Sequence, residues 1–425
     1  MSTQTTFLPG ALRGHIAVPG DKSISHRALI LAAAGREPVT IRNLNPGRDV
    51  HATTGALQTL GVSVLRQAQD DVVVTGGRLR GANDAIDCMN SGSTARMLLG
   101  VCAGANITAR LDGDASLRKR PMEPVAAQLR AFGAHLETSD GTLPATIAGT
   151  SEPQTRRFIL VSPSAQVKSA LLFAGVFGNV AVTTMGDKGS RDHTERLLRY
   201  LGADISFDRS TVELRRASAA FRDIDVVGDF SAAAFFIVAA TVAPGSRLTI
   251  ENVGVNPSRT GLLDALGQMG ANIQLQNERE QCGEPVADIV VEHAPLHGTH
   301  VGAELALRAI DEILVLSVAA AFAGGETRIT GIRELRAKES DRVAAIERML
   351  DAVGIAVEQL PNGIAIVGGT PAGSSGAVLD THHDHRTAMS VAALAAGAGP
   401  LRIDSEESID VSFPTFQQTL RQAQA

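Results

Sequence analysis

The stretch that sets the fold reads LGADISFDRSTVEL and occupies residues 201–214. It follows a helix-like segment, and Gly202 stands where a glycine ends a helix by taking the left-handed backbone conformation. In 204–207 and again in 211–214, apolar side chains alternate with polar ones across a polar turn. Alternation with a period of two predicts two short strands joined as a hairpin. The stretch therefore predicts a helix, a glycine cap and a β-hairpin in succession.

The same pattern recurs along the chain at a nearly constant interval. Each copy ends a helix-like segment with a glycine between apolar residues, and these glycines are Gly61, Gly133, Gly202, Gly270 and Gly354. Successive glycines are 72, 69, 68 and 84 residues apart. A unit near 70 residues would fit about six times into the chain, so we expect tandem α/β units. No GxGxxG sequence follows the strands, which disfavours a Rossmann domain with an appendage.

Length and composition indicate a two-domain α/β protein. At 425 residues the chain is too long for one ordinary core, and 44% of its residues are apolar but only 3% aromatic. A core of Ala, Val, Leu and Ile favours closely packed α/β layers. The net charge of −6 excludes a protein that binds nucleic acid through its overall charge, so an anionic ligand needs a local basic cluster.

The cysteines and the apolar segments point to the cytoplasm. Cys88, Cys102 and Cys282 are widely spaced and form no CxxC motif, which fits a reducing compartment and no structural zinc. Residues 1–14 do not have the charged and apolar regions of a signal peptide. Residues 232–243 are apolar but far shorter than the roughly 20 residues that a membrane span needs. We expect a cytoplasmic protein that does not bind a membrane.

A basic cluster stands at the start of the first apolar helix, in VPGDKSISHR at residues 18–27. A Pro-Gly turn breaks the preceding strand, and Lys22, Ser23 and Arg27 follow where the unpaired N–H groups of a helix start attract an anion. Asp21 separates the glycine from the lysine, which disfavours a nucleotide-binding P-loop. The alternative is an ordinary turn with solvated charges.

Polar groups precede other apolar helices in the same way. The segments are NSGSTAR at 90–96, DGDASLRKRPM at 112–122, SPSAQVKS at 162–169 and GDFS at 228–231. In the second segment, Pro121 suits the first turn of the helix that follows. A structural N-cap would explain each segment alone, but a cap does not require the arginines. If these helix starts share one cleft, that cleft attracts anions strongly.

The second half of the chain supplies acids close to basic residues. Asp311 lies at the head of the apolar stretch 313–322, where a carboxylate can act as a base or merely complement the helix dipole. In KESDR at 338–342, a helical conformation would place Lys338 and Arg342 on one face. A solvated ion-pair face is the alternative for this segment.

The segment THHDHR at 381–386 resembles a set of metal ligands. Adjacent residues of one strand or helix cannot all point at one ion, so we do not expect a metal site there. Arg386, which precedes another apolar helix, is the informative residue. No Cys/His or Ser/His/Asp arrangement for nucleophilic catalysis stands out.

Together these segments resemble the 5-enolpyruvylshikimate-3-phosphate synthase family, the 3-phosphoshikimate 1-carboxyvinyltransferases. The matching motifs are PGDKSISHRA (19–28), NSGSTAR (90–96), GDASLRKRPM (113–122), SAQVKSA (164–170), SRDHTE (190–195), NPSRTG (256–261), DEILVLSVAAAFA (311–323), KESDR (338–342), DHRTAMS (384–390) and SFPTF (412–416). They run nearly from end to end. SAQVKSA, SRDHTE and the SFP ending are more similar to the class II branch.

The resemblance implies an α/β fold of two lobes, each made of three βαβαββ repeats in an inside-out barrel with helix N-termini facing a cleft. Lobe 1 would comprise 1–19 and 228–425 and carry the catalytic acids, and lobe 2 would comprise 20–227 and bind shikimate-3-phosphate. In the implied reaction of the shikimate pathway, the 5-hydroxyl of shikimate-3-phosphate attacks C2 of phosphoenolpyruvate while C3 is protonated. Loss of phosphate then gives the enolpyruvyl ether, an intermediate on the way to chorismate and the aromatic amino acids. The resemblance implies a monomer that uses no metal or organic cofactor and binds no nucleic acid.

The resemblance also assigns residues to the two substrates. Phosphoenolpyruvate would be held by Lys22, Arg120, Arg342 and Arg386, because arginines suit planar carboxylate and phosphate groups. Shikimate-3-phosphate would be held by Ser23, Arg27, Ser164, Gln166, Arg191 and Lys338, with Lys22, Gly92 and Asp311 also at the substrates. Asp311 would be the base for the 5-hydroxyl and Glu339 the proton donor to C3, with Lys22 assisting at the phosphate.

Two positions depart from many members of the family, and two alternative functions stay open. Val411 stands where many members carry a lysine that contacts phosphoenolpyruvate. Gly92 stands where an alanine in some relatives blocks the analogue glyphosate, so glycine implies sensitivity. The sister UDP-N-acetylglucosamine enolpyruvyl transferases typically use a cysteine in the segment that corresponds to 113–122, which here contains none. A catalytically silent anion-binding scaffold is the alternative from outside the enzymes.

Overall fold

The computed structural model describes residues 4–68, 70–154, 156–216, 222–373 and 378–425. The chain divides into two compact units. Unit 1 comprises Met1–Pro19, Val227–Arg279 and Pro285–Ala425, and unit 2 comprises Gly20–Val226 and Glu280–Glu284. The division from sequence counted 280–284 with 228–425, whereas these residues, at the turn of a long hairpin, belong to unit 2.

Short strands occur throughout both units. In the described residues they are β1 (Thr5–Phe7), β2 (Arg13–Ala17), β3 (Val39–Arg42), β4 (Ser63–Arg66), β5 (Val72–Thr75), β6 (Ile86–Asp87), β7 (Thr108–Asp112), β8 (His135–Ser139), β9 (Thr142–Ala148), β10 (Arg157–Ile159), β11 (Val182–Met185), β12 (Asp204–Phe207), β13 (Thr211–Arg216), β14 (Ile224–Asp225), β15 (Arg247–Gly254), β16 (Asn272–Gln281), β17 (Glu284–Glu292), β18 (His300–Val301), β19 (Gly325–Thr330), β20 (Val357–Leu360), β21 (Gly363–Gly368), β22 (Val378–Leu379) and β23 (Leu401–Ile403).

Helices separate most of these strands. They are α1 (Lys22–Ala33), α2 (Arg48–Thr59), α3 (Gly92–Ala105), α4 (Glu123–Phe132), α5 (Ala165–Gly178), α6 (His193–Tyr200), α7 (Phe230–Val242), α8 (Gly261–Gln268), α9 (Ala303–Arg308), α10 (Ile313–Phe322), α11 (Arg342–Asp351), α12 (His385–Ala398) and α13 (Phe416–Gln424). Short 3₁₀ turns occur at Leu117–Lys119, Arg333–Ala337 and Ile409–Val411.

Unit 2 contains three copies of one β-sheet arrangement. In the order β6-β7-β9-β8, the first two strands are parallel and the last two form an antiparallel hairpin. The order β10-β11-β13-β12 repeats it, with α5 and α6 as the connections. In β14-β3-β5-β4, the first strand comes from the end of the segment and pairs in parallel with β3. The first two copies are therefore βαβαββ units, as the family resemblance implied, and the third has the same strand order with its edge strand supplied by the end of the segment.

In the described residues, unit 1 contains the same arrangement twice and a related three-stranded sheet, assembled from distant segments. The orders β18-β19-β21-β20 and β2-β15-β17-β16 follow the pattern of unit 2. The third sheet, β1-β23-β22, has three strands, and its β1 pairs Thr5 with Ile403. Strands from both ends of the chain thus complete this unit.

In the described residues, three helices that are buried along most of their length lie inside each unit. In unit 1 these are α7, α10 and α12, and all 13 residues of α7 are buried. In unit 2 they are α1, α3 and α5, and α3 packs so closely on α5 that a Cβ on Gly100 would stand 2.1 Å from Ala170 O. A Cβ on Gly104 would stand 2.2 Å from Ala174 O. Beyond their polar first turns these helices are apolar on all sides, as buried helices are, and small residues permit this backbone approach.

The phenylalanines of the SFPTF motif belong to the core of unit 1. Phe413 and Phe416 lie with their ring centroids 6.1 Å and 5.3 Å from that of Phe236. All three side chains are buried. The motif therefore anchors the C-terminal segment by aromatic packing.

Local predictions were mostly confirmed, and two were wrong. All five repeat glycines have positive φ, between 79° and 117°, and the hairpin β12–β13 forms where alternation predicted it. Pro121 lies before α4, and Pro124 occupies its first turn instead. Residues 338–341 are not helical, because the Asp341 carboxylate caps α11 and leaves them outside it. None of the helices in the described ranges is long and apolar enough to span a membrane.

Candidate functional site

The start of α1 carries a basic group fixed by acids. The Asp21 side chain caps the helix by accepting a hydrogen bond from Ile24 N at 2.9 Å. Lys22 is the first helical residue, and its Nζ donates to Asp49 Oδ2 at 2.8 Å. Both side chains are still partly exposed, at 17% and 15%. The ammonium group is thus held in place by Asp49 on a side chain that is still partly open to solvent.

Arg27 follows one turn later and is buried in a polar layer between helices. Its Nε donates to Thr194 Oγ1 at 2.7 Å, its Nη2 to Ser169 Oγ at 2.9 Å and its Nη1 to Ser23 O at 2.9 Å. Burial lowers the pKa of Arg27 to about 10, and Glu195 offsets part of that effect. The guanidinium therefore stays charged at neutral pH, although its contacts at hydrogen-bond distance are to hydroxyls and a carbonyl.

A second basic group of unit 2 lies at the start of α3. Arg96 Nη1 donates to Gln166 Oε1 at 2.7 Å, and Gln166 Nε2 donates to Ser93 Oγ at 2.9 Å. Gly92 begins the helix, and a Cβ there would stand 2.9 Å from Arg96 Nη1 and 3.6 Å from Arg120 Nη1. The glycine therefore leaves room for two guanidinium groups side by side.

The remaining candidates of unit 2 lie on neighbouring segments. Arg120 Nη2 donates to Asn90 Oδ1 of the NSGSTAR motif. Ser164 caps α5 and accepts from Val167 N at 3.4 Å. Arg191 stands between β11 and α6, in the loop that precedes Thr194. Unit 2 thus brings together cations and hydroxyls from α1, α3, α5 and their preceding loops.

Arg342 is the centre of a charged cluster in unit 1. Its side chain is 2% exposed, and its Nε donates to Asp384 Oδ2 at 2.9 Å while Nη2 donates to Glu339 Oε2 at 2.7 Å. Asp311 Oδ1 lies 3.6 Å from its Nη1. Burial alone would lower the pKa of Arg342, but the three carboxylates outweigh burial and raise it above its ordinary value.

Asp384 serves both as an acid partner and as a helix cap. It is fully buried, caps α12 by accepting from Arg386 N, and accepts from Ser340 Oγ at 2.9 Å. Burial alone would raise the pKa of Asp384, yet Arg342 and His385 hold it below its usual range. The carboxylate therefore stays ionised and ties the KESDR and DHRTAMS motifs together.

Arg386 reaches the acids at the head of α10. Its Nη1 donates to Asp311 O at 2.9 Å, and its guanidinium nitrogens lie 3.8 Å from Asp311 Oδ2 and from Glu312 Oε1. Glu312 is buried and accepts from Ser231 Oγ. Arg259 Nη2 donates to the same hydroxyl at 2.6 Å. Buried ionic groups thus hold Asp311 and Arg386 in one place.

Lys338 is placed differently from the expectation. It lies outside α11, and its Nζ donates to Glu334 Oε1 at 2.6 Å rather than facing the same way as Arg342 on a helix. Val411, which stands where many relatives carry lysine, is part of a 3₁₀ turn. Within the described residues, no group of three or more His, Cys, Asp and Glu side chains is arranged to hold a metal ion.

Sequence reasoning missed several partners of the candidate residues. Asp49, Ser93 and Arg96 hold candidates of unit 2, and Asp384 and Glu312 do the same in unit 1. Asp49 had a local signal, since it follows Pro46-Gly47 in the first turn of α2. The partnership of Arg342 with Asp384 had none, because 42 residues separate the two.

Known proteins resemble this chain in sequence and in fold. The family described as EPSP synthase (3-phosphoshikimate 1-carboxyvinyltransferase) matches residues 8–420. The 3-phosphoshikimate 1-carboxyvinyltransferase of Anaeromyxobacter sp. (strain Fw109-5) is 45% identical over 410 residues, which cover 96% of this chain and 95% of that protein. The solved EPSP synthase of Acinetobacter baumannii is 37% identical with a TM-score of 0.86, covering 99% of this chain and 98% of that one.

A more distant structure shares the fold alone. The enolpyruvyl transferase NikO from Streptomyces tendae has a TM-score of 0.77 at 18% identity, covering 100% of this chain and 98% of that one. With the Acinetobacter structure, it confirms the enolpyruvyl transferase fold that the motifs implied.

Proposed function

The chain belongs to the EPSP synthase (3-phosphoshikimate 1-carboxyvinyltransferase) family, and from this premise we propose that it transfers the enolpyruvyl group of phosphoenolpyruvate to the 5-hydroxyl of shikimate-3-phosphate. The observation that carries the proposal is the cluster around Arg342. One buried guanidinium there holds Glu339 and lies beside Asp311, so an acid and a base stand next to a cation suited to a carboxylate.

Phosphoenolpyruvate binds to Lys22, Arg120, Arg342 and Arg386. Asp384 holds the Nε side of Arg342 from a fully buried position, so this contact persists when substrate binds. The Glu339 side chain is 29% exposed, and its carboxylate pairs with Nη2 of Arg342. The substrate carboxylate therefore competes with Glu339 for this edge of the guanidinium.

Shikimate-3-phosphate binds to the hydroxyls and cations of unit 2, namely Ser23, Arg27, Ser164, Gln166 and Arg191. Arg27 and Arg191 supply charge, and the hydroxyls and the Gln166 amide fix orientation. Lys338 also binds this substrate once it exchanges Glu334 for it. Gly92 keeps space open beside Arg96 and Arg120, and we expect glyphosate to bind in that space.

The reaction then needs two proton transfers in the addition step, two in the elimination step and one leaving group. Asp311 accepts the proton of the 5-hydroxyl as its oxygen attacks C2 of phosphoenolpyruvate, and Glu339 donates a proton to C3. The tetrahedral intermediate loses phosphate, whose charge Lys22 stabilises and which takes the proton held by Asp311. C3 returns a proton to the Glu339 carboxylate as the double bond re-forms. Substrate binding at Arg342 releases Glu339 from its ion pair. This favours the protonated form of Glu339, which the protonation of C3 requires.

We place this reaction in the cytoplasm, carried out by a monomer of the class II branch. Each proton and each charge in the steps has a protein group assigned to it, so the proposal includes no metal, organic cofactor or nucleic acid. The reaction belongs to the shikimate pathway, which supplies chorismate for the aromatic amino acids.

Phosphate release by the purified protein tests the proposal. With shikimate-3-phosphate and phosphoenolpyruvate we expect release, and with UDP-N-acetylglucosamine and phosphoenolpyruvate none. Asp311→Asn and Glu339→Gln should each lower kcat by roughly 10²- to 10⁴-fold while both substrates still bind, because each variant removes a group that transfers protons. Asp264→Asn, which changes a half-exposed carboxylate of unit 1, should leave kcat unchanged.

Two results would contradict the proposal. Phosphate release only with the nucleotide sugar would identify the sister activity. The absence of phosphate release with either acceptor would favour a silent scaffold. Wild-type turnover in Asp311→Asn or Glu339→Gln would show that the substituted residue does not transfer the proton assigned to it.

A further inference from the structure

A buried lysine outside the candidate site is held by two acids. Lys168 is on α5, and its side chain is 2% exposed. Its Nζ lies 2.6 Å from Asp187 Oδ2 and 2.7 Å from Glu195 Oε1, which are themselves 3% and 1% exposed. Buried charges of this kind cost free energy unless they are paired, so the cluster is a specific arrangement rather than a surface ion pair.

The same cluster fixes the loop that carries Arg191. Lys168 Nζ donates to Ser190 O at 3.4 Å, which is the carbonyl of the peptide bond that precedes Arg191. Ser190 Oγ donates to Asp187 Oδ1 at 2.5 Å. Lys168 therefore holds the segment between β11 and α6 at two points, directly at the Ser190 carbonyl and through the Asp187 carboxylate.

The cluster also borders the hydroxyls that hold Arg27. Ser169 follows Lys168 on α5, and Thr194 precedes Glu195 on α6. Arg27 donates to both hydroxyls, and Ser169 Oγ donates onward to Ala165 O at 2.6 Å. The Thr194 hydroxyl must then donate to Ser169 Oγ, 2.7 Å away, so each donor in the chain has one acceptor.

The charges of the cluster and of Arg27 balance one another. Burial alone would lower the pKa of Lys168, but Glu195 and Asp187 raise it, so the ammonium stays charged. Burial raises the pKa of Glu195, and Lys168 offsets only part of that effect. Glu195 also opposes the lowering of the pKa of Arg27. The charges of two cations, Arg27 and Lys168, and two acids, Asp187 and Glu195, thus compensate one another. These residues come from α1, α5, α6 and the loop before α6.

From this geometry we infer that Lys168 is a positioning residue for the shikimate-3-phosphate site: with Asp187 and Glu195 it fixes the Ser190–Arg191 peptide and the hydroxyls that orient Arg27. The inference rests on the proposed function. The cluster then affects the affinity for the phosphorylated acceptor, whereas phosphoenolpyruvate binding depends on Lys22, Arg120, Arg342 and Arg386.

Calorimetric titration with shikimate-3-phosphate alone, followed by steady-state kinetics, tests the inference. Lys168→Met keeps the length of the side chain but removes the charge that holds the loop. We expect its Kd for shikimate-3-phosphate to rise at least about tenfold, since small misplacements of positioning groups have effects of that size. The KM for phosphoenolpyruvate should stay within about twofold of wild type, as expected for an effect on one of two substrates.

Two milder variants keep the test decisive if Lys168→Met does not fold. Asp187→Asn keeps the shape of the acid, and Ser190→Ala removes only one hydrogen bond, so both should shift the same Kd in the same direction but less. Leu129→Ala is the control, because it creates a cavity in α4 of the same unit and should weaken folding without changing the Kd.

The outcomes separate the inference from the proposed function. A wild-type protein that does not bind shikimate-3-phosphate overturns both. A wild-type protein that binds it, with folded Lys168→Met or both milder variants binding equally well, overturns the inference alone. Equal weakening of both substrates in Lys168→Met and in Leu129→Ala would make the cluster merely structural, which also overturns it.

Discussion

At the scale of single residues, the two candidate clusters differ in how their arginines are held. Arg342 is surrounded by carboxylates, with Asp384 at 2.9 Å and Glu339 at 2.7 Å, so its charge is compensated within the protein. Arg27 donates to hydroxyls and a carbonyl, and its carboxylate influence comes from Glu195 at longer range. A group whose charge is less completely compensated has more attraction left for an anion.

His26, next to Arg27, makes the stability of unit 2 sensitive to acid. The imidazole is fully buried with Nδ1 2.7 Å from Thr53 Oγ1, and burial lowers its pKa to about 3. Between pH 6.5 and 3 the unfolded chain binds a proton that the folded chain does not, so stability falls as pH falls. Protonation of this single histidine in the unfolded chain lowers the free energy of unfolding by about 2 kcal/mol between pH 7 and pH 5.

His26→Asn should therefore reduce the loss of unfolding free energy between pH 7 and pH 5 by about 2 kcal/mol, as measured by urea unfolding at both values. His51→Asn, which alters an exposed histidine on α2, should keep the wild-type loss. An equal loss in His26→Asn and wild type would show that the imidazole is not buried neutral.

At the scale of elements, the contact between α3 and α5 depends on two glycines. A Cβ on Gly100 would stand 2.1 Å from Ala170 O, so Gly100→Ala forces the helices apart. We expect it to lower the unfolding free energy by about 1–3 kcal/mol, although alanine favours the helix itself. Urea unfolding monitored by circular dichroism measures the change.

Gly55→Ala in α2 is the matched control. A Cβ there meets nothing within 4 Å, so only the helix propensity changes and stability should rise by up to about 1 kcal/mol. Opposite signs for the two substitutions are the expected result. A loss of equal size in both, or no loss in Gly100→Ala, would contradict the close approach of the two helices.

The elements also show which structural features can be predicted from sequence. Helix caps, glycine turns and hairpins depend on a few adjacent residues, so the repeat and its glycines were predicted correctly. The mistake at 338–341 had a local cause, since Asp341 accepts from Val343 N and Ala344 N and the helix begins only after it. The motifs led to most candidate residues through family resemblance.

Partners that are distant in sequence could not be predicted. Asp384 and Arg342 are 42 residues apart, and Arg27 and Thr194 are 167 apart. The sequence around Lys168 reveals neither its burial nor its contact with Asp187. A lysine in an apolar helix gives the same sequence pattern whether it faces solvent or a buried acid. Such pairings follow from the packing of the whole unit.

At the scale of the whole molecule, the two units differ in how the chain builds them. Unit 2 is formed almost entirely from the continuous segment Gly20–Val226, whereas unit 1 combines the first 19 residues with two later segments. Its β1 pairs Thr5 with Ile403, and its β2 pairs Ile16 with Ile250. Contacts between residues so far apart in sequence form late, because closing long loops slows folding.

On refolding from urea, amides of α3 and α5 in unit 2 should therefore become protected from hydrogen exchange before those of β1. Pulse labelling with mass spectrometry measures this order. Phe7→Ala, which removes the ring that packs 6.5 Å from Phe416, should speed the unfolding of unit 1 and leave early protection in unit 2 unchanged. Simultaneous protection of β1 and α3 in wild type would mean that the two ends of the chain meet before unit 2 forms. Chain connectivity would then not set the order of folding.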